Sequence, residues 1–361
     1  MERIRVGAAE AVRAIPVLLV LAGSAADVLA PEPYAGLPLL TAAPLAAALV
    51  LSFRGAALVA VFTCAVSLVT DLLTARPLSA LLVDLADVLV ISAIALGLNA
   101  AMARQDRRLA VTSRIAEAAQ RAVLPAAPPR VGPLDVAVRY EAAQAQAAVG
   151  GDLYAVQDTP FGVRAMLGDV CGKGLQAIST VSVVVGAFRE AAEEAPTLED
   201  LARRLDRALD RAAESGGGRP AAFERFTTAL LAEVVPASGT VNLLSRGHPP
   251  PYLVRDASVT CLESLAAGPP LGLGLGGGDG EARAASFPFP CGASLVMVTD
   301  GVTEARDGQG TFYDPRSGLA AGLRHRPDEL TDLLVDDVAD WTGGRRQDDL
   351  AIVVLTRRPT G

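Results

Sequence analysis

Four segments of this sequence place an aspartate beside glycine or beside a second aspartate, next to a stretch of apolar residues. They are Gly150-Gly151-Asp152, Gly168-Asp169, Thr299-Asp300-Gly301 and Asp348-Asp349. One Asp-Gly pair is usually an ordinary turn. Divalent cations such as Mg²⁺ and Mn²⁺ prefer carboxylate oxygens, and strand ends brought together by sheet pairing supply several of them. The four segments together therefore predict a shared site for divalent cations.

Charge and cysteine usage argue against other kinds of site. The chain carries 32 basic and 40 acidic residues, a net charge of -8. Proteins that bind the phosphate backbone of DNA or RNA present a basic surface, so we predict no nucleic-acid partner. The four cysteines have neither CxxC spacing nor a paired pattern, which disfavours a zinc site and a disulfide framework. The segment 168–173 is not a P-loop, because its spacing differs and no Ser or Thr follows its lysine.

Periodicity after residue 125 predicts strands in hairpin groups and separate helical blocks. The expected strands cover residues 134–140, 153–156, 163–167, 227–235, 240–245, 251–254, 294–298 and 350–356, and the expected helices cover residues 175–194, 198–213 and 328–341. Strands are recognised here by alternation and by their flanking turn residues, and helices by the 3.6-residue period. This grouping is typical of an α+β domain with antiparallel sheets.

The first hundred residues have the composition of a membrane domain. The whole chain is 51% hydrophobic with a mean hydropathy of +0.36, and four apolar runs cover residues 14–30, 37–53, 56–73 and 80–102. Each run is close to the roughly 20 residues that a helix needs to cross a bilayer. We therefore predict an all-α transmembrane domain of four helices at residues 1–102.

Arginines predict the orientation of these helices. In a four-pass topology all but Arg76 lie on one side, namely Arg3, Arg5, Arg13, Arg54, Arg104, Arg107 and Arg108. Positive residues mark the cytoplasmic side, so both termini, and with them the soluble domain, are expected in the cytoplasm. Asp84 and Asp87 lie in the fourth run. A carboxylate there either faces the bundle interior, as part of a signal input, or reaches the headgroups.

A charged helix is expected between the membrane domain and the soluble domain. Residues 104–124 are rich in helix formers with apolar residues at helical spacing, and Pro-Ala-Ala-Pro-Pro at 125–129 ends the pattern. The predicted organisation is a membrane domain at 1–102, a helical linker at 103–125 and a soluble domain at 126–361. A homodimer through the linker helix is a hypothesis.

Seven short segments carry a family resemblance. They are Gln-Arg-Ala-Val-Leu-Pro at 120–125, the stretch 140–154 ending in Val-Gly-Gly-Asp-Leu-Tyr, Gly-Asp-Val-Cys-Gly-Lys-Gly at 168–174, Phe-Thr-Thr at 226–228, Gly-His-Pro-Pro at 247–250, Thr-Asp-Gly-Val-Thr-Glu at 299–304 and Gln-Asp-Asp-Leu-Ala at 347–351. In this order, across residues 119–357, they resemble the SpoIIE/RsbU branch of the PP2C (PPM) phosphatases. The resemblance implies an α-β-β-α sandwich of two antiparallel sheets with two Mn²⁺ or Mg²⁺ ions at one edge.

The same resemblance implies roles for individual residues. Asp169 would bridge the two ions with the Val170 carbonyl as a neighbouring ligand, and Asp152 would act through a metal-bound water. Asp300 and Asp348 would complete the site, although Asp349 is an alternative to Asp348. The implied substrate is a phosphoserine or phosphothreonine protein, commonly an anti-anti-sigma factor of the STAS type.

Four further residues are candidates for contact with the substrate. Gly172 and Gly174 permit a tight turn beside the ions, and Lys173 either touches the substrate phosphate or faces solvent. His248 either assists the leaving group or holds a His-Pro-Pro turn in place. Metal-activated water needs no covalent nucleophile, so Cys171 is expected to be a packing residue.

The predicted function is that of a metal-dependent protein serine/threonine phosphatase anchored in the membrane. An alternative is a degenerate phosphatase fold that sequesters a regulatory partner at the membrane. The complete set of aspartates favours catalysis, because a pure binding module has no reason to keep a costly cluster of like charges. A transporter or receptor with a regulatory tail is disfavoured by the short loops and the few polar groups in the apolar runs.

Overall fold

The chain forms two compact units, Met1–Leu109 and Ala110–Gly361. The computed structural model describes all residues except 1, 30–36, 125, 143–149, 173, 216–225, 236–237, 256–257, 275–281, 322–325, 346–347 and 360–361. Lys173, a candidate substrate contact, therefore lies outside the described residues.

The first unit is helical. Its helices are α1 (Glu2–Leu29), α2 (Leu37–Val50), α3 (Phe53–Leu73) and the start of α4 (Leu78–Val123). Three segments are long and apolar enough to cross a membrane: Ala11–Leu29, Phe53–Leu73 and Leu78–Arg108. The second predicted span is realised as the 14-residue helix α2, which rises about 21 Å and is shorter than the roughly 30 Å hydrocarbon core. The next helix begins early because Ser52 caps α3 and accepts a hydrogen bond from the Gly55 amide.

Asp84 belongs to a polar cluster inside this unit. Its carboxylate lies 2.8 Å from the Arg76 guanidinium, which also lies 3.4 Å from Asp27 and 3.9 Å from Asp71. The partly buried guanidinium thus ties the ends of α1 and α3 to the start of α4, which offsets the cost of carboxylates within an apolar bundle. Asp87, by contrast, is exposed. Asp84 is thus buried among the helices of this unit.

The helix α4 runs without a break from the fourth apolar run through the predicted linker. Past it, the second unit has strands β1 (Arg130–Val131), β2 (Leu134–Glu141), β3 (Asp152–Thr159), β4 (Gly162–Val170), β5 (Thr227–Val235), β6 (Thr240–Arg246), β7 (Tyr252–Arg255), β8 (Ser258–Cys261), β9 (Ala267–Gly268), β10 (Ala285–Pro288), β11 (Ser294–Val298) and β12 (Leu350–Arg357). Its remaining helices are α5 (Leu175–Glu194), α6 (Leu198–Ser215), α7 (Asp300–Thr303), α8 (Pro315–Ala321) and α9 (Pro327–Thr342).

These strands form two sheets. The first has the order β1-β2-β12-β11-β7-β8, and the second has the order β10-β6-β5-β4-β3. Every pairing along these orders is antiparallel, and the two-residue strand β9 adds a parallel pair beside β6. The predicted fold class, an N-terminal helical region followed in the chain by an α+β sandwich of antiparallel sheets, is confirmed.

Three apolar layers hold the sandwich together. In β4, Val163, Ala165 and Leu167 face the layer between the sheets, whereas Met166 faces the layer beneath α5 and α6. A third layer joins β11 and β12 to α9. Because both faces of the central strands are covered, these strands are apolar almost throughout, and their ends are where polar side chains can meet solvent. That geometry puts the aspartates at strand ends.

One charged pair interrupts the second layer. Arg164 is fully buried in β4, and its guanidinium donates to Glu233 of β5 at 2.5 and 2.9 Å. It also donates to the carbonyl oxygens of Ala192 and Ala195 at 3.0 and 2.6 Å. The arginine therefore satisfies the last carbonyls of α5, which fixes the C-terminal end of that helix on the second sheet.

Candidate metal centre

Asp152 and Asp169 meet because of the register of one hairpin. Asp152 is the first residue of β3 and Asp169 is next to last in β4, and the two are direct partners in the antiparallel ladder. Directly opposed residues in such a ladder have neighbouring side chains. The turn after Thr159 thus decides that these two carboxylates come together.

The other aspartates come from the first sheet. Strands β11 and β12 pair with Val298 opposite Ile352, so the residues just after β11 lie beside those just before β12. Asp300 opens the short helix α7, and Asp348 and Asp349 precede β12. The Thr299 amide donates to the Ala351 carbonyl at 3.1 Å, which fixes the exit from β11.

A hydrogen bond between the sheets brings the two halves into one site. The Thr299 hydroxyl donates to Oδ2 of Asp152 at 2.9 Å. As a result, carboxylate oxygens of Asp152, Asp169 and Asp300 lie within 4.8 Å of one another. Asp152 is buried, and Asp169 and Asp300 are half-buried. The donor set, three carboxylates open to solvent on one side, fits hard divalent cations.

The electrostatics of the cluster also fit cations. Burial raises the pKa of the Asp152 carboxyl well above its ordinary value, and the Asp169 carboxylate raises it further. Burial likewise raises the pKa of Asp300, helped by Asp348 and Glu304. Like charges this close in a poorly solvated place disfavour one another's ionised forms. A divalent cation would remove that penalty.

Three glycines make room for these groups. A Cβ atom at Gly150 would overlap Oδ2 of Asp349, and one at Gly151 would overlap the Val170 carbonyl oxygen. A Cβ atom at Gly301 would overlap the Asp349 carbonyl oxygen. The Gly-Gly before Asp152 and the glycine after Asp300 are therefore required by close packing of the chain around the site.

Two residues that the sequence left without a role support the cluster. The Tyr140 hydroxyl lies 2.8 Å from Oδ2 of Asp349 and 3.1 Å from Oε1 of Gln120. Gln120 is buried near the end of α4, and its Nε2 donates to the Asp152 carbonyl oxygen at 3.2 Å. Both residues begin segments of the family resemblance, which was the available signal. Neither side chain is charged, so neither is recognised from sequence as a candidate metal ligand.

Asp348 and Asp349 have different surroundings. Asp349 is buried against Tyr140. Asp348 lines an open cleft together with Asp300. Its Oδ1 atom accepts a hydrogen bond from the Asp349 amide at 3.0 Å. Neither belongs to the group of three carboxylates.

The remaining candidates lie in the segments that follow β4 and β6. Gly172 and Gly174 have φ angles of 114° and 83°, and Gly174 precedes the first residue of α5. Such angles favour glycine. His248 is buried, and its Nδ1 lies 3.1 Å from the hydroxyl of Thr228, the ladder partner of Asp169. Burial lowers the pKa of His248 to about 3, so its ring is neutral near pH 7.

Two antiparallel sheets flanked by helices, with a carboxylate cluster at their edge, define a domain of the PP2C type. The family model described as Stage II sporulation protein E (SpoIIE) matches residues 159–358, more than half of the chain. The chain therefore belongs to the SpoIIE family.

Solved structures are similar to this chain. One is described as the RsbU and RsbW domains of Rv1364c from Mycobacterium tuberculosis, with 25% identity, a TM-score of 0.52, and coverage of 63% of this chain and 61% of that one. The SiaA-PP2C domain of Pseudomonas aeruginosa has 18% identity, a TM-score of 0.56, and coverage of 69% of this chain and 97% of that one. The chain thus spans less than two thirds of the Rv1364c structure.

Proposed function

We propose that this protein is a membrane-anchored phosphatase that removes phosphate from phosphoserine or phosphothreonine on a regulatory protein. The observation that carries the proposal is the convergence of the Asp152, Asp169 and Asp300 carboxylates within 4.8 Å. Three carboxylates this close together, one of them buried, repel one another unless cations bind between them. Membership of the SpoIIE family supports the same reaction.

The proposed cofactor is a pair of Mn²⁺ or Mg²⁺ ions. When bound, two such ions activate water for in-line attack and neutralise the phosphoryl oxygens. Asp169 would hold both ions, with the Val170 carbonyl oxygen, which lies against Gly151, as a neighbouring ligand. Asp152 would be held in one orientation by Thr299. We favour Asp348 over Asp349 as the further ligand. Asp348 lines the same cleft as Asp300, whereas Asp349 accepts a hydrogen bond from the Tyr140 hydroxyl.

The candidates for substrate contact divide into two groups. Gly172 and Gly174 would keep the turn before α5 close to the ions, with Lys173 between them. His248 is better suited to holding its loop than to proton transfer, because it is buried, neutral and hydrogen-bonded to Thr228. Ser245 supports this role, since its hydroxyl lies 3.1 Å from the carbonyl oxygen and 3.3 Å from the amide of His248.

The apolar helices would hold the protein in the inner membrane of a bacterium, with the soluble domain of residues 126–361 in the cytoplasm. The arginine distribution supports this orientation. The proposed partner is a phosphorylated regulatory protein of the anti-anti-sigma kind. A homodimer through the linker at 103–125 is part of the proposal, and a monomer in detergent by analytical ultracentrifugation would contradict that part.

Phosphate release by the full-length protein in detergent tests the proposal. We expect hydrolysis of p-nitrophenyl phosphate and of a phosphoserine peptide with added Mn²⁺, and loss of both with EDTA or in Asp169→Asn. A folded wild-type protein that hydrolyses neither compound with Mn²⁺ or Mg²⁺, yet retains a phosphorylated partner on a column, would favour the sequestering alternative.

A further inference from the structure

A cleft of about 250 Å³ opens beside the carboxylate cluster. Its lining includes the acidic residues Asp300, Glu304 and Asp348, and also Arg306, Thr342 and Arg345. The cleft therefore leads away from the metal centre between the loop after α7 and the end of α9. A protein chain whose phosphorylated residue reached the aspartates would have to pass through or beside it.

The two arginines are available to a ligand. Neither guanidinium forms an ion pair with a carboxylate among the residues that the structure describes, and both side chains are exposed. Other arginines of the chain, such as Arg164, Arg246 and Arg316, are instead paired with acids. An arginine pair left open beside a site for anionic groups is well suited to bind carboxylates or phosphates.

Aromatic side chains form an exposed ledge next to Arg306. Phe312 is 51% exposed and Trp341 is 40% exposed, and within the described part of residues 126–361 they are the only large hydrophobic side chains with such exposure. The Arg306 guanidinium lies 4.5 Å from the centre of the Phe312 ring. Exposed aromatic residues combined with arginine are typical of the energetically important part of protein interfaces.

The ledge is held rigidly. Asp307 accepts hydrogen bonds from the amides of Gln309 and Thr311, and the Tyr313 amide donates to the Ala305 carbonyl at 2.8 Å. Trp341 donates from Nε1 to the Thr311 carbonyl at 3.2 Å, and its ring packs edge-on against Tyr313. A surface that is ordered before binding loses little entropy when a partner docks.

We propose that Arg306, Arg345, Phe312 and Trp341 form the docking surface for the protein substrate, and that they select a segment with acidic side chains next to its phosphorylated residue. The two arginines would pair with those acids, and the ring of Phe312 or Trp341 would cover an apolar side chain of the same segment. This inference rests on the proposed phosphatase function, because it assumes that the phosphate goes to the aspartate cluster.

The test uses two phosphoserine peptides that differ only in glutamate or glutamine at the flanking positions. With the full-length protein and Mn²⁺, we expect wild type to favour the glutamate peptide by about tenfold in kcat/KM, mainly through KM. That preference corresponds to roughly one to two charge-assisted contacts. In the double variant Arg306→Gln/Arg345→Gln, the ratio of kcat/KM for the glutamate peptide to that for the glutamine peptide should fall close to one. The matched control Arg130→Gln, an exposed arginine on β1, should keep it.

A binding measurement separates this inference from the phosphatase proposal. In an Asp169→Asn background the anisotropy of the labelled glutamate peptide reports binding without turnover, and the two arginine substitutions should weaken binding by about tenfold there too. Trp341 fluorescence checks that the variants are folded. Equal use of both peptides by wild type, or an undiminished preference in the double variant, would overturn the docking surface. If wild type hydrolysed neither peptide but binding of the glutamate peptide still depended on the two arginines, only the catalytic proposal would be contradicted.

Discussion

Tyr140 donates a hydrogen bond of 2.8 Å to Asp349, although the two residues lie 209 positions apart in the chain. The pair joins β2 to the start of β12, which are neighbours in the first sheet. Burial raises the pKa of the Tyr140 phenol, and the charge of Asp349 raises it further, so the hydroxyl stays protonated and remains a donor. Oε1 of Gln120 lies 3.1 Å from the same hydroxyl, and Nε2 of Gln120 donates to the Asp152 carbonyl oxygen at 3.2 Å. The end of α4 thus supports the metal centre from behind.

Replacing Tyr140 by phenylalanine should destabilise the protein. The buried Asp349 carboxylate would lose this donor, and a hydrogen bond to a charged group contributes roughly 1.5–3 kcal/mol. Denaturant unfolding followed by the fluorescence of Trp341, the sole tryptophan, measures the loss. The control is Tyr154→Phe, since Tyr154 is a partly buried tyrosine of the same unit that packs on the apolar layers. Equal effects of the two substitutions would refute a specific role for the Tyr140 hydroxyl.

Replacing Gly150 or Gly151 by alanine should have a larger effect on the affinity for Mn²⁺ than on the free energy of unfolding. The added Cβ atom would displace Asp349, and with it the adjacent ligand Asp348, in the first case. In the second case it would displace the Val170 carbonyl, which is itself a proposed ligand. Gly186→Ala is the matched control, because nothing lies within 4 Å of a Cβ atom there and alanine stabilises a helix interior by about 1 kcal/mol. Mn²⁺ titration of the three variants provides the comparison. Wild-type affinity in Gly150→Ala and Gly151→Ala would count against the packing argument.

The strongly patterned elements of the fold were predictable. Helix 175–194 and strands 227–235 and 294–298 begin and end where periodicity predicts. The edge strands β8 and β10 were missed, since each has only four residues and is at most half-buried, so that its alternation is too short to be recognised. Their pairing with β7 and β6 forms only once the sheets assemble. The shortened helix α2 carried a signal in Ser52, a good N-cap residue.

The site was predictable where charge marks it. Asp152, Asp169 and Asp300 stand beside glycines at strand ends, and the structure brings their oxygens together. Their roles as ligands remain a proposal. The roles of the neutral residues Thr299, Tyr140 and Gln120 could not be assigned from sequence, because they depend on hydrogen bonds to residues far away in the chain. The Thr299 bond to Asp152 joins the two sheets, and the Tyr140 bond to Asp349 lies within the first sheet.

The buried ion pair between Arg164 and Glu233 should be costly to break from one side. Arg164→Met would leave Glu233 without its cation and the end of α5 without donors, and loss of one partner of a buried pair costs about 3–5 kcal/mol. Adding Glu233→Gln should recover part of the loss, because no uncompensated charge then remains. A double-mutant cycle of unfolding free energies checks this expectation. Strict additivity of the two losses would show that the residues do not interact.

His248 should make stability fall at mildly acidic pH. Its pKa in the folded protein is about 3, below the ordinary value of 6.5, so between these values the unfolded chain binds a proton that the folded protein does not. The free energy of unfolding should therefore decrease as pH falls below about 6.5, by up to about 1.4 kcal/mol per pH unit from this group. Unfolding of wild type and His248→Gln at pH 7, 6 and 5 measures the difference. Identical slopes would exclude the contribution.

Calorimetric titration of the full-length protein with Mn²⁺ in detergent tests the central claim most directly. We predict saturable binding by wild type and a loss of affinity of at least about tenfold in Asp169→Asn, with Gly186→Ala binding as wild type does. An absence of saturable binding by folded wild type, or equal binding by wild type and Asp169→Asn, would contradict the account of a carboxylate cluster built to hold divalent cations.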